Sequence, residues 1–136
     1  MGLDTEDRIS LVIYKAEKAF LTLEEAKGNA HLKFWNATAN RLYYSAFNAT
    51  SALLIAHGIN AQTHSGLIKM FGLHFIKTQI LSKDEGRLLS VLFDNRQTGD
   101  YGDDYDLTEE MVLPLLTPTE EFVIKITQMA KDKVLK

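Results

Sequence analysis

The chain holds only two prolines, Pro114 and Pro118, and both fall near the start of its last segment. Proline removes a backbone donor and clashes with the preceding helical turn, so the long stretch before Pro114 is free of the strongest helix breaker. Apolar residues use that freedom. They recur at three- and four-residue steps, the spacing of one helix face, and nowhere alternate as a half-buried strand would. Five segments carry this periodicity, which predicts an all-α fold, a helical bundle in a single domain spanning residues 1–136.

The first helix is expected from about Thr5 to Lys27, with Ile9, Val12, Ile13, Ala16, Ala19, Phe20 and Leu23 as its apolar stripe and Gly28-Asn29 as its stop. The second runs from about Ala30 to His57, with Leu32, Trp35, Ala39, Leu42, Ala46 and Leu53 on one face, and Gly58 ends it. A loop over residues 59–63 leads to a third helix carrying Leu67, Ile68, Phe71, Phe75 and Ile76, capped by Thr63 or Ser65. The fourth begins near Ser82, which with Glu85 has the spacing of a capping box, continues through Leu88, Leu89 and Leu92, and ends around residues 99–102. After an acidic stretch (Asp100, Asp103, Asp104, Asp106, Glu109, Glu110), Thr117-Pro118 opens the last helix with proline at its first position.

Composition removes several classes of function. With no cysteine there is no disulfide, thiolate metal site or cysteine nucleophile. A formal net charge of −3 is not the footprint of a protein that grips long duplex DNA by neutralising phosphates. The N-terminus lacks a signal-peptide pattern, and no apolar run approaches the roughly 18 residues that span a bilayer; a cytoplasmic protein with no membrane association is expected. Two Asn-x-Thr triplets, at Asn36 and Asn48, are read as accidental. Phosphate-loop, nucleophile-elbow and dinucleotide motifs are all missing. His31, His57 and His74 have no metal-ligand spacing, and the acidic stretch reads as a solvated segment.

Three constellations remain. At about 100° per residue, Arg41, Ser45, Asn48 and Ala52 form a narrow small-or-polar stripe on the second helix, about opposite Leu32, Ala39, Ala46 and Leu53. Facing away from the core and carrying no Glu or Lys, this stripe is expected to meet a second subunit or a ligand. Arg96 shares an angular line with Leu89 and Leu92, so it needs an anion against apolar surface. Asp100, four residues on, supplies one; the other reading has Arg96 and Tyr101 lining a cleft for a phosphate. His64-Ser65-Gly66 enters a helix, where free N–H groups hold an anion beside a switchable charge, or else merely cap and pack.

The run Asn40-Arg41-Leu42-Tyr43-Tyr44-Ser45-Ala46-Phe47-Asn48-Ala49, then Ala52-Leu53-Leu54 ending at Gly58, then Thr63-His64-Ser65-Gly66-Leu67, and Asn95-Arg96 with Asp100-Tyr101, resembles the HEPN domain family in order and spacing over roughly residues 5–132. The resemblance implies an up-and-down bundle of four to five helices that dimerises, with the polar stripe at the dimer cleft. Many members are metal-independent endoribonucleases in which an Arg is followed after four to six residues by a His. Others pair with a nucleotidyltransferase as toxin and antitoxin. Here the residue seven after Arg41 is Asn48, which holds an oxygen but shuttles no proton.

The resemblance therefore implies RNA or nucleotide binding in a homodimer cleft, with weak or no cleavage and no cofactor. Arg41 and Asn48 stand at the catalytic positions, with Tyr44, Ser45, His64, Arg96, Asp100 and Tyr101 around them. The alternatives are a ribonuclease in which another group, His64 first, replaces the missing base, and a non-catalytic dimeric scaffold.

Overall fold

The computed structural model describes residues 3–101 and 106–135, with Tyr101 described by its backbone alone. Its α-helices are α1 (Thr5–His31), α2 (Trp35–Ala56), α3 (His64–Phe71), α4 (Lys83–Tyr101), α5 (Glu109–Val112) and α6 (Leu116–Leu135). A π-helical turn, Gly72–Ile76, extends α3, and a 3-10 turn, Leu113–Leu115, joins α5 to α6. There is no strand among the described residues, and no helix of theirs is long and apolar enough to cross a membrane. The all-α bundle read from periodicity is the fold observed.

At the centre lies α2, packed against α1, α4 and α6 and buried on almost every side. Its Leu42, Tyr43, Leu53 and Leu54 meet Val12 and Leu23 of α1, Leu89 and Leu92 of α4, and Phe122, Val123 and Ile126 of α6 in one continuous core. Two ion pairs tie the outer helices: Lys27 of α1 with Glu120 of α6 at 2.5 Å, and Lys125 of α6 with Glu85 of α4 at 3.0 Å.

This central position overturns the expected orientation of the polar stripe. Ser45 and Ala52 are fully buried and Asn48 is 5% exposed. The Ser45 hydroxyl donates to the Ala19 carbonyl of α1 at 2.7 Å. The stripe faces α1 of its own chain, where buried Ala16, Ala19 and Ala26 complete a seam of small side chains. Small residues on both helices permit close backbone approach, and the neighbour they admit here is intramolecular. Thr38 and Thr50 of the Asn-x-Thr triplets are also fully buried within α2.

Helix boundaries divide by how local their signals are. Thr63 caps α3, its side chain accepting from the Gly66 N–H at 2.9 Å. Ser82 and Glu85 form the reciprocal capping box. Gly58, at φ +71°, ends α2 with paired bonds from its own N–H to the Ile55 carbonyl and from the Ile59 N–H to Leu54.

Gly28-Asn29, by contrast, does not end α1. The helix runs to His31, and Leu32, expected on the core face of α2, is the C-cap and 61% exposed. The Lys33 N–H reaches Ala30 and the Phe34 N–H reaches Asn29, the same motif that closes α2, but with Lys33 at φ +64° in the place of glycine. A left-handed conformation costs a side-chain-bearing residue about 1 kcal/mol or more. Lys33→Gly is therefore expected to stabilise the protein by about 1 kcal/mol and raise Tm by about 3–5 °C. A lowered Tm in a thermal melt would contradict this.

The last helix also starts differently from its proline signal. It opens at Leu116, with Pro118 two residues inside its first turn, while Pro114 lies in the preceding 3-10 turn. Both positions leave the missing N–H where no intrahelical partner exists.

Candidate functional site

Tyr43, Tyr44 and Phe47 bring aromatic rings together within one turn of α2. Tyr43 is fully buried, 5.1 Å edge-on from Tyr44, 5.9 Å from Phe47 and 5.6 Å from Phe93 of α4. His64, the first residue of α3, is laid onto this group. Its Nδ1 lies 2.7 Å from the Tyr43 hydroxyl oxygen and its ring stacks on Phe47 at 4.5 Å. The Thr63 cap sets that entry angle, and at Gly66 an added Cβ would come within 2.8 Å of Thr63 Oγ1, so a side chain there would displace the cap.

From the other side comes Arg96 of α4, 8% exposed, its guanidinium 5.1 Å from the Tyr43 ring centre and 5.6 Å from those of Tyr44 and Phe93. Asp100 faces it at 3.9 Å. The Asp100 Oδ2 also accepts from Asn40 at 2.9 Å, and the Asn40 Oδ1 accepts from Arg41 Nε and Nη2 at 3.0 and 2.7 Å. Arg41 in turn donates to Glu25 of α1 at 3.1 Å and lies 5.4 Å over the Tyr44 ring. Two guanidinium groups thus flank one tyrosine, joined by a chain of carboxylate and amide groups around it.

Burial, and then the Arg96 charge, hold the His64 imidazole below its ordinary pKa of 6.5. Burial pushes the Tyr43 phenol up to about 12, with Arg96 opposing in part. Both groups are neutral near pH 7, leaving Arg41 and Arg96 as the cluster's cations. Such an arrangement suits an anion held by the two guanidinium groups at the edge of the aromatic cluster.

The family model that describes the HEPN domain matches residues 13–129, most of the chain and all of the elements that build this cluster. The chain belongs to the HEPN domain family. A UPF0332 protein of Thermotoga maritima is 31% identical over 126 residues, covering 93% of this chain and 96% of the relative. Two proteins of Methanocaldococcus jannaschii named as candidate toxins are similar as well. One is 33% identical over 92% of this chain and 83% of its own length, the other 31% identical over 97% and 96%.

Within this HEPN domain, five of the expected site residues converge: Arg41, Tyr44, His64, Arg96 and Asp100. The Arg96–Asp100 ion pair is present, and the same arginine lies in the aromatic cluster. Ser45 belongs to the α1 seam. Asn48, expected at a catalytic position, turns inward, its amide donating to the Tyr44 carbonyl at 2.9 Å. The Tyr101 side chain lies outside the described residues, as do Asp103 and Asp104 of the acidic stretch. Among the described residues no group of His, Asp and Glu is placed to hold a metal ion.

Sequence reading missed the members supplied at a distance or by packing: Tyr43, Phe47, Phe93, Asn40 and Glu25. Tyr43 and Phe47, four residues apart, share a helix face, and that spacing was the one local signal by which an aromatic ridge could have been found. Nothing local showed that His64, 21 residues from Tyr43, would cover it.

Proposed function

We propose that this HEPN domain protein binds RNA or a nucleotide at the Arg41–Tyr44–His64–Arg96 cluster and cleaves RNA weakly or not at all. It acts as a homodimer and as the toxin-like half of a pair with a nucleotidyltransferase. The observation that carries the binding reading is Tyr44 between two guanidinium groups, with His64 beside it: cations for phosphate oxygens around a half-buried aromatic cluster. Asn48, buried and bonded to the backbone, supports weak cleavage. Support for the pair comes from the relatives named as candidate toxins.

For the homodimer, the support is an apolar strip on α1. Tyr14, Leu21 and Leu32 are 54%, 64% and 61% exposed. At about 100° per residue they lie along one line with Glu25, the partner of Arg41.

The test incubates the purified protein with a labelled mixed RNA pool in EDTA, following retention on a filter and cleavage on a gel. Wild type is expected to retain RNA without cutting it. Arg41→Ala should bind about tenfold more weakly, the worth of one charge-assisted contact. Glu25→Gln, which removes the carboxylate competing for Arg41, should bind more tightly. If wild type retains no RNA and no mononucleotide competes, the binding reading fails; cutting in EDTA that Arg41→Ala abolishes would make the protein a metal-independent ribonuclease.

A further inference from the structure

His64 invites assignment as the base that Asn48 does not supply, because it is the titratable ring nearest the two arginines. Its hydrogen bonding points elsewhere. The Tyr43 hydroxyl is buried with its ring, and its hydrogen-bond partner is His64 Nδ1 at 2.7 Å. A phenol enclosed in this way has one acceptor for its proton. It therefore donates to Nδ1, and an Nδ1 that accepts carries no proton of its own. Because a neutral imidazole bears one N–H, that hydrogen sits on Nε2.

The surroundings keep the ring neutral. From α4 the Arg96 guanidinium repels a second positive charge, with Asp100 already engaged by Arg96 and Asn40. From α3 the helix N-terminus, where His64 is the first residue, disfavours a cation. From α2 come the uncharged rings of Tyr43, Tyr44 and Phe47, with the Arg41 guanidinium over Tyr44 adding a further positive charge to the cluster. Among the described residues Nε2 has no hydrogen-bond partner, and His64 is only partly buried.

We propose that Tyr43 locks His64 in its Nε2–H form, so that His64 serves as a neutral hydrogen-bond donor to a phosphate oxygen and not as a general base. Tyr43 is then a positioning residue. The lock holds in the free protein; the donor role rests on the binding reading above. Both nitrogens are committed, Nδ1 to the phenol and Nε2 to its own proton, so no lone pair remains to take a proton from a ribose hydroxyl. The site reads an oxyanion with two guanidinium groups and one fixed N–H, which matches a phosphate monoester or diester.

Two measurements test this separately. In the ligand-free protein, long-range proton–nitrogen NMR correlations of the histidine rings, assigned with His64→Gln, should show Nε2 protonated and Nδ1 bare near neutral pH. In Tyr43→Phe the tautomer should become mixed and the His64 titration should move to higher pH, because Nδ1 is then free to accept a proton. A protonated Nδ1 in wild type, or a tautomer unchanged in Tyr43→Phe, overturns the lock.

In the second measurement, binding of the labelled RNA pool and of 5′-AMP is compared for wild type, His64→Ala and His64→Gln. The glutamine amide reaches toward the Nε2 position as a donor but is no base. His64→Gln should stay within about threefold of wild type while His64→Ala loses about tenfold. Equal loss in both variants overturns the donor role, as does metal-independent cleavage by wild type that His64→Gln abolishes. Absence of RNA and nucleotide binding in wild type fails the binding reading and the donor role with it, while the spectra still decide the lock.

Discussion

Tyr43→Ala is expected to lower stability by about 3–5 kcal/mol, the range for truncating a wholly buried aromatic residue. The tyrosine is fully buried in α2, and its ring contacts reach across to Phe93 and Arg96 of α4 and to His64 of α3. Truncation empties the point where these three helices meet and removes the ring against which His64, the first residue of α3, rests. Since a domain of this size has a total stability of about 5–15 kcal/mol, the loss would take a large share of it. Urea denaturation followed by circular dichroism should show a much lower midpoint. Tyr43→Phe keeps the packing and loses one hydrogen bond, so its cost should be nearer 1 kcal/mol. Equal costs for the two variants would mean that the hydroxyl, and not the ring, carries the contribution.

Arg96→Ala should cost about 2–4 kcal/mol, because it leaves a space among three rings and withdraws a cation–aromatic interaction from a buried site. Arg96→Met refills most of that volume without a charge and should cost less than about 1.5 kcal/mol. The same pair of variants changes the acid response. The folded-state pKa of His64 lies below its ordinary 6.5, so as pH falls the unfolded chain takes up the proton first. The contribution is complete above 6.5 and is lost as pH falls toward the folded value. Removing the Arg96 charge raises that folded value and narrows the window. Arg96→Met should therefore lose less stability than wild type between about pH 7.5 and pH 5, measured as the shift in urea midpoint. A larger acid loss in Arg96→Met would show that Arg96 does not set the state of His64.

Features closed within a few residues were legible in the chain. Thr63 and the Ser82–Glu85 box are local bonds three residues long, and Gly58 marks a left-handed turn that glycine adopts without penalty. Gly28 misled because glycine in a helix costs only about 1 kcal/mol and α1 simply runs through it. The stop falls instead on Lys33, a residue that gives no such signal. The stripe of Arg41, Ser45, Asn48 and Ala52 was correctly placed on one line of α2, but angular position does not say which neighbour covers that line. The neighbour is α1, so Ser45 and Asn48 are buried within the chain while Arg41, at the end of the seam, emerges beside Glu25.

By itself, then, the sequence determined the helical class, most of the caps and the family resemblance, because helix periodicity and capping depend on residues one turn apart. Only the tertiary structure decided that His64 rests on Tyr43 and Phe47, that Arg96 fills the space among the same rings, and that Asn48 turns inward. Those contacts join α2 to helices 21 and more residues away. They are chosen by how the bundle as a whole buries its apolar surface, a condition no single segment contains.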